Sequence, residues 1–181
     1  MAKLYNCPVI FICENNQFAM GTSIERSSGA HEFYNRGQYI PGIKIDGQDL
    51  PSVLAGSRYA AEWCRNGNGP IVLEYETYRF FGHSMSDPGL SYRTRDEIKE
   101  KRQHSDPIQI FKHKIIDSKL VPESDLADIE TECLREIDDI EKQLENEAEP
   151  SEEIFDKDIY VDYTGDLKNV RGRDPSEIYT R

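Results

Sequence analysis

Basic residues are in deficit. Lys and Arg number 22 against 34 Asp and Glu, for a formal net charge of −12. A nucleic-acid or anionic-membrane surface needs clustered cations, and this balance argues against both. Long apolar runs are also missing. None approaches the roughly 20 residues needed to span a bilayer as a helix. Cysteine is sparse, and Cys7, Cys13, Cys64 and Cys133 show no CxxC spacing. That pattern fits reduced thiols in an intracellular compartment better than a disulfide framework or a zinc site. The start, "MAKLYNCPVIFIC", lacks the basic stretch, apolar run and small-residue cleavage site of a signal peptide. It runs almost at once into a strand, so the domain reads as one that lacks its front. Hydrophobic residues make up 37% of the 181, enough for one core in one domain or a little more.

What is present is strand–helix–strand order. "PVIFIC" (8–13) is a short apolar run with β-branched residues and predicts a strand buried on both faces. "PGIKIDG" (41–47) predicts a second strand. Asp49 offers an N-cap, and Leu50, Val53, Leu54, Ala60, Ala61 and Cys64 fall on one helical face, interrupted by Ser57. "NGNG" (66–69) stops that helix, and "PIVLEYETY" (70–78) predicts a third strand. This is a βαβ unit, so its strands should be parallel. From Pro122 a long helix follows, with Leu126, Ile129, Cys133, Ile137, Ile140 and Leu144 as one apolar stripe. It is expected to pack peripherally by that side. The stretch 145–158 is acidic and poor in apolar residues, as in a linker or loose arm, and "DIYVDY" (158–163) suggests a late edge strand. The expected divisions are 1–118 for the α/β part, 119–150 for the helix and 151–181 for an acidic arm.

Two polar clusters directly follow buried strands. "ENNQFAMGT" follows the first and "RFFGHSMSDPG" the third. In an open parallel sheet, ligands bind beyond the carboxyl ends of the strands. The Asn16 amide oxygen and a backbone carbonyl just after it are hard oxygen ligands suited to Mg²⁺. An Asx turn that merely closes the strand is the plainer reading of a bare Asn-Asn pair. In the second cluster, His83 could simply cap a turn, Ser84, Ser86 and Ser91 could be ordinary loop residues, and Asp87-Pro88-Gly89 is a turn by composition. Arg93 and Arg95 lie on one side of an extended chain, so both could face an anion or Asp87.

"CPVIFICENNQFAMGTSIER", "YNRGQYIPGIKIDGQD" and "LEYETYRFFGHSMSDPGLSYRTRDEI" together resemble the alpha subunit of the pyruvate dehydrogenase first component. The resemblance runs from residue 1 to about 150, and "VRG" (170–172) resembles the family's end. The branched-chain 2-oxoacid enzymes carry "HHSTSD" in place of this loop and lack "MGT" after the paired Asn. Acetoin dehydrogenase alpha subunits are a closer rival. Phe81 departs from the second polar residue, often His, that many relatives carry there.

The resemblance implies the rest. The fold would be the transketolase-like, parallel-sheet thiamin diphosphate-binding α/β fold, with its N-terminal part missing and a peripheral C-terminal helical extension. The cofactors would be thiamin diphosphate and Mg²⁺. Asn16 and the Phe18 carbonyl would be metal ligands. The family's Gly-Asp-Gly, with its Asp ligand, would lie upstream of Met1, so this sequence reads as the C-terminal half of such a subunit. His83 would sit near the diphosphate and the reacting carbon, and Arg79 would help neutralise the phosphates or order the loop. The reaction would be decarboxylation of pyruvate with transfer of the acetyl unit to a lipoyl group of an acyltransferase. The chain would form a heterotetramer with beta subunits that supply the activating glutamate. Ser84, Ser91 and Ser23 match phosphorylation positions of the family's mitochondrial members, so a dedicated kinase and phosphatase are candidate partners. Localisation would be the mitochondrial matrix, or the cytoplasm in a bacterium. The alternatives are the alpha subunit of an acetoin or other 2-oxoacid dehydrogenase, or a catalytically incomplete interaction fragment.

Overall fold

The computed structural model describes residues 1–154. The strand expected at 158–163 and the segment 170–172 lie outside them. The sheet holds β1 (Ile10–Asn15), β4 (Gly42–Asp46) and β5 (Ile71–Glu76) in the order β1-β5-β4, all parallel. Between β1 and β4 the chain forms a small antiparallel hairpin, β2 (Phe18–Ala19) with β3 (Thr22–Ser23). A single helical turn, α1 (Ile24–Ser27), and a 3-10 turn at Phe33–Asn35 follow. The crossover from β4 to β5 is α2 (Leu50–Arg65). The parallel pairing expected of a βαβ unit is therefore present.

Local chemistry explains α2. The Asp49 carboxylate accepts from the Ser52 amide at 3.2 Å, and Pro51 sits in the first turn where no N–H is needed. Gly67 and Gly69 take positive φ and release the chain toward β5. The apolar face meets the sheet through Ala60 and Cys64, which join Ile45, Ile71 and Leu73 in the core. Ile71 and Leu73 are each 1% exposed. Full burial of such a side chain is worth about 1.5–3 kcal/mol. Ser57 does more than interrupt the stripe. Its hydroxyl donates to the Val53 carbonyl at 2.6 Å and lies 2.7 Å from the Tyr75 hydroxyl, tying helix to strand.

Three expectations are corrected. Among the described residues β1 is an edge strand and not a strand buried on both faces, because no strand pairs on its outer side; Phe11 and Ile12 are exposed. Two helices emerge where none was expected: α3 (Arg95–Ser105), capped by Thr94, and α4 (Pro107–Asp117), capped by Asp106. The long helix is present as α5 (Glu123–Leu144), but its stripe is uncovered. Ile129, Ile137, Ile140 and Leu144 are 50–63% exposed. This helix runs through the point, between Ala127 and Asp128, at which the chain divides into two units. No helix among the described residues is long and apolar enough to cross a membrane, and all four cysteines are free.

Candidate functional site

The carboxyl ends of the three parallel strands open onto a cavity of about 690 Å³, lined by Phe18, Ser23, Lys44, Asp46, Glu76 and Glu97 among others. The Lys44 ammonium pairs with Glu76 at 2.5 Å, and that hydrogen bond holds the ammonium above its usual range. Both polar clusters lie on this edge.

The first cluster is two overlapping Asx turns. The Asn15 amide oxygen accepts from the Gln17 N–H, and the Asn16 amide oxygen from the Phe18 N–H, each at 3.0 Å. Gln17 stands at φ 68 and Met20 at φ 57, both left-handed. The plain turn reading of the paired Asn is thus realised. It is compatible with a ligand role, because an amide oxygen has two lone pairs and the turn uses one. Asn16 is half-buried and borders a second cavity of about 180 Å³ with Cys13, Phe18, Ile24 and Phe33.

The second cluster is a loop closed on a carboxylate. Asp87 accepts from the His83 N–H at 2.9 Å, the Gly89 N–H at 2.8 Å and the Tyr92 hydroxyl at 2.7 Å. The backbone bond from His83, then those from Tyr92 and Gly89, hold its carboxyl down to about 2. Gly82 is forced by this closure. A Cβ there would lie 1.9 Å from the Asp87 carbonyl oxygen. Ser84, Met85 and Ser86 are exposed, with the Ser84 and Ser86 hydroxyls 3.1 Å apart. His83 and Ser91 are exposed, and Ser23 is half-buried.

Arg93 does not make the anion or Asp87 contact that its spacing allowed, but it does hold the loop backbone. It is 4% exposed and faces neither an anion nor Asp87. Its guanidinium donates to the carbonyls of Arg79 and Phe81, and lies 5.1–5.5 Å from the ring centroids of Tyr92, Tyr78 and Phe18. Arg95 instead opens α3 and is exposed. The two arginines diverge because the helix begins between them.

Turn and loop are joined. Arg79 donates to the Met20 carbonyl at 2.5 Å and the Tyr92 hydroxyl at 2.8 Å, and Phe18 packs on Tyr92 at 5.5 Å. Gly21 permits this contact, since a Cβ there would sit 2.8 Å from the Tyr92 ring. So Asn16, Phe18 and Arg79 are brought into one assembly, on which the His83 loop is built. No contact of the His83 ring with the other site residues is formed. The Arg79 Nε is buried without a partner. A cation with an unused donor, next to a turn that offers amide and carbonyl oxygens, fits a diphosphate with a hard divalent ion. No group of three His, Cys, Asp or Glu that could hold a metal alone exists among the described residues.

Sequence reasoning missed Tyr92 as the hub between Asp87, Arg79 and Phe18. It also missed Glu74, which is fully buried in the central strand. The signal for Glu74 was available, as a lone acid in the apolar part of "PIVLEY".

Residues 1–153 match the family model described as dehydrogenase E1 component. Among curated proteins, the chain is 54% identical over 145 residues to "Pyruvate dehydrogenase E1 component subunit alpha, mitochondrial" of Dictyostelium discoideum, covering 80% of the chain and 38% of that protein. It is 45% identical over 182 residues to the protein of the same name in Saccharomyces cerevisiae, covering 99% and 43%. To the human "somatic form, mitochondrial" it is 47% identical over 160 residues, covering 88% and 41%. The chain spans about two-fifths of the length of these relatives.

Proposed function

The chain belongs to the dehydrogenase E1 component family, and from that premise we propose that it serves as the alpha-type chain of a pyruvate dehydrogenase. In this reading it acts with a beta-type partner in a heterotetramer, in mitochondria, as the names of its relatives suggest. It takes part in decarboxylating pyruvate and passing the acetyl unit to a lipoyl group of an acyltransferase. The observation that carries the reading is the joining of the Asn16–Phe18 turn to the His83 loop through Arg79, Arg93 and Tyr92.

Thiamin diphosphate, when bound, supplies the electron sink that lets carbon dioxide leave a 2-oxoacid. The residues of this chain bind and orient. Asn16 through its free lone pair, and the Phe18 carbonyl, would ligate Mg²⁺. Arg79 would face the phosphates with its unused donor. His83, on the exposed lip of the loop, would donate a hydrogen bond at the reacting centre. Ser84, beside it, is exposed to a kinase, and Ser91 and Ser23 are the further candidate sites. Phosphorylation would add about 1.5–2 negative charges. Next to Asp87 that charge would repel the carboxylate that closes the loop. A dedicated kinase and phosphatase are thereby proposed partners.

The test is steady-state turnover of the full-length subunit assembled with its beta partner, with pyruvate, thiamin diphosphate and Mg²⁺. Rates are read with a lipoyl domain and with an artificial electron acceptor. His83→Ala should lose both. Ser84→Glu should abolish transfer to the lipoyl domain, while Ser91→Glu, beyond the Asp87-Pro88-Gly89 turn, should lose less. Absence of pyruvate-dependent turnover in the unmodified assembly would overturn the reading.

A further inference from the structure

Glu74 has no part in the mechanism above, yet it is the most deeply buried acid in the described structure, with no exposed surface at all. It stands on β5 opposite Cys13 of β1, and two donors converge on it. The Asn15 side-chain amide donates to Oε1 at 2.7 Å, and the Tyr34 backbone N–H donates to Oε2 at 2.8 Å. Neither donor can accept in return, so the carboxylate form matches this site. A buried carboxylate is costly unless hydrogen-bonded or paired, and these two donors offset part of that cost.

The chain of bonds does not end at Asn15. With its NH₂ turned to Glu74, the Asn15 amide has only one orientation, and its oxygen is left to accept from the Gln17 N–H. Gln17 is the left-handed residue of the turn, at φ 68. A non-glycine residue in that region is strained and persists only where its surroundings hold it there. Asn16 and Phe18 flank Gln17 on either side. We infer that Glu74 is a positioning residue: through Asn15 it locks the strained Gln17 turn, and so sets the Asn16 amide oxygen and the Phe18 carbonyl for a divalent cation. The last clause rests on the proposed function; the locking of the turn does not.

The donor–acceptor pattern provides a direct test. In Glu74→Gln one of the two converging donors meets an NH₂. In Asn15→Asp two carboxylate oxygens face each other. In the double variant Glu74→Gln/Asn15→Asp, the new glutamine NH₂ donates to the new aspartate, and its oxygen still accepts from Tyr34. Every bond is restored and net charge is unchanged. The measurements are made on the full-length subunit assembled with its partner. One is Mn²⁺ affinity in the presence of thiamin diphosphate, by electron paramagnetic resonance. The other is amide hydrogen exchange at residues 15–18 without ligand. Each single variant should weaken Mn²⁺ binding about 10- to 100-fold, the usual cost of losing an outer-shell partner. Each should also speed exchange of the turn, and the double variant should return both close to wild type. A merely structural role would also lower stability and be rescued by this swap, but in the assembled single variants it would leave Mn²⁺ affinity and exchange at residues 15–18 at wild-type values. Wild-type Mn²⁺ affinity and exchange in Glu74→Gln overturn the inference, and so does a double variant no better than the worse single one. Should the single variants fail to assemble, exchange at residues 15–18 is compared in the unassembled full-length subunit: faster exchange than wild type, restored in the double variant, supports the inference, and exchange equal to wild type overturns it. If the wild type binds no Mn²⁺ with thiamin diphosphate, the proposed function fails, and the exchange measurement still decides whether Glu74 locks the turn.

Discussion

The turn after β1 and the loop after β5 share one sheet edge but are anchored in opposite directions. The turn is held from inside, by a carboxylate with no exposed surface acting through Asn15. The loop is held from outside, by Asp87 gathering the N–H groups of His83 and Gly89 and the Tyr92 hydroxyl at the surface. An inward anchor is out of reach of a modifying enzyme unless the sheet opens. A surface anchor can be answered by a proton, a phosphate or a partner. The difference leaves the turn fixed and the loop adjustable. Arg93 belongs to both, stacked on Phe18 of the turn and bonded to the loop carbonyls of Arg79 and Phe81.

Removing that shared piece should therefore have the largest effect. Arg93→Ala strips the donors from two carbonyls and leaves a gap among three rings. Both bonds are part-buried, so water can reach the freed carbonyls, but each comes from a charged donor worth a net of about 1.5–3 kcal/mol, and the loss should be about 2–5 kcal/mol. Arg93→Lys should recover part of it, because one ammonium cannot reproduce the planar fork. Urea unfolding of the assembled subunit reads both. A loss under about 1 kcal/mol for Arg93→Ala would mean that turn and loop stand independently.

A smaller and pH-dependent effect separates the two anchors. Asp87 is held down to about 2 from an ordinary 3.8. A depressed carboxyl contributes stability that is present above its unfolded value and is lost as pH falls through the folded one. The loop should thus be fully closed above about pH 4 and loosen as pH drops toward 2. Asp87→Asn should loosen it already at neutral pH and flatten that dependence. Amide exchange over residues 82–92, corrected for intrinsic rates and followed from pH 5 to 3, checks this. Identical profiles for wild type and variant would show that Asp87 does not hold the loop.

Much of the frame was legible because it rests on local signals. The run "PVIFIC" marked β1, although the strand lies two residues further on, at Ile10–Asn15. Asp49 and the 50–64 periodicity marked α2, and the residues straight after each strand marked the sheet edge at which a cavity opens. Long-range consequences were not legible. No periodicity tells that Arg93 turns inward to cap carbonyls at Arg79 and Phe81, 14 and 12 residues back. Thr94 and Asp106-Pro107 are cap signals for α3 and α4, but few apolar residues follow Thr94 to give α3 a period. In α5 the stripe was plain from spacing, while its covering depends on surfaces that spacing does not describe.

The smallest expected effect is also the sharpest about how turn and loop touch. Tyr92 joins them in two ways. Its ring packs on Phe18 at 5.5 Å and covers Gly21. Its hydroxyl donates to Asp87 and accepts from Arg79. Tyr92→Phe keeps the first and deletes the second. A typical hydrogen bond contributes a net of about 1 kcal/mol, and these sit partly in solvent, so the loss should be about 1 kcal/mol in all. The Asp87 carboxyl should rise from about 2, because the Tyr92 bond is one cause of its depression. Arg79 would keep its bond to Met20, and the ring would keep its seat on Phe18, so exchange at residues 15–18 should not change. Faster exchange in that turn would show that the hydroxyl, and not the stacked ring, carries the link between the two regions.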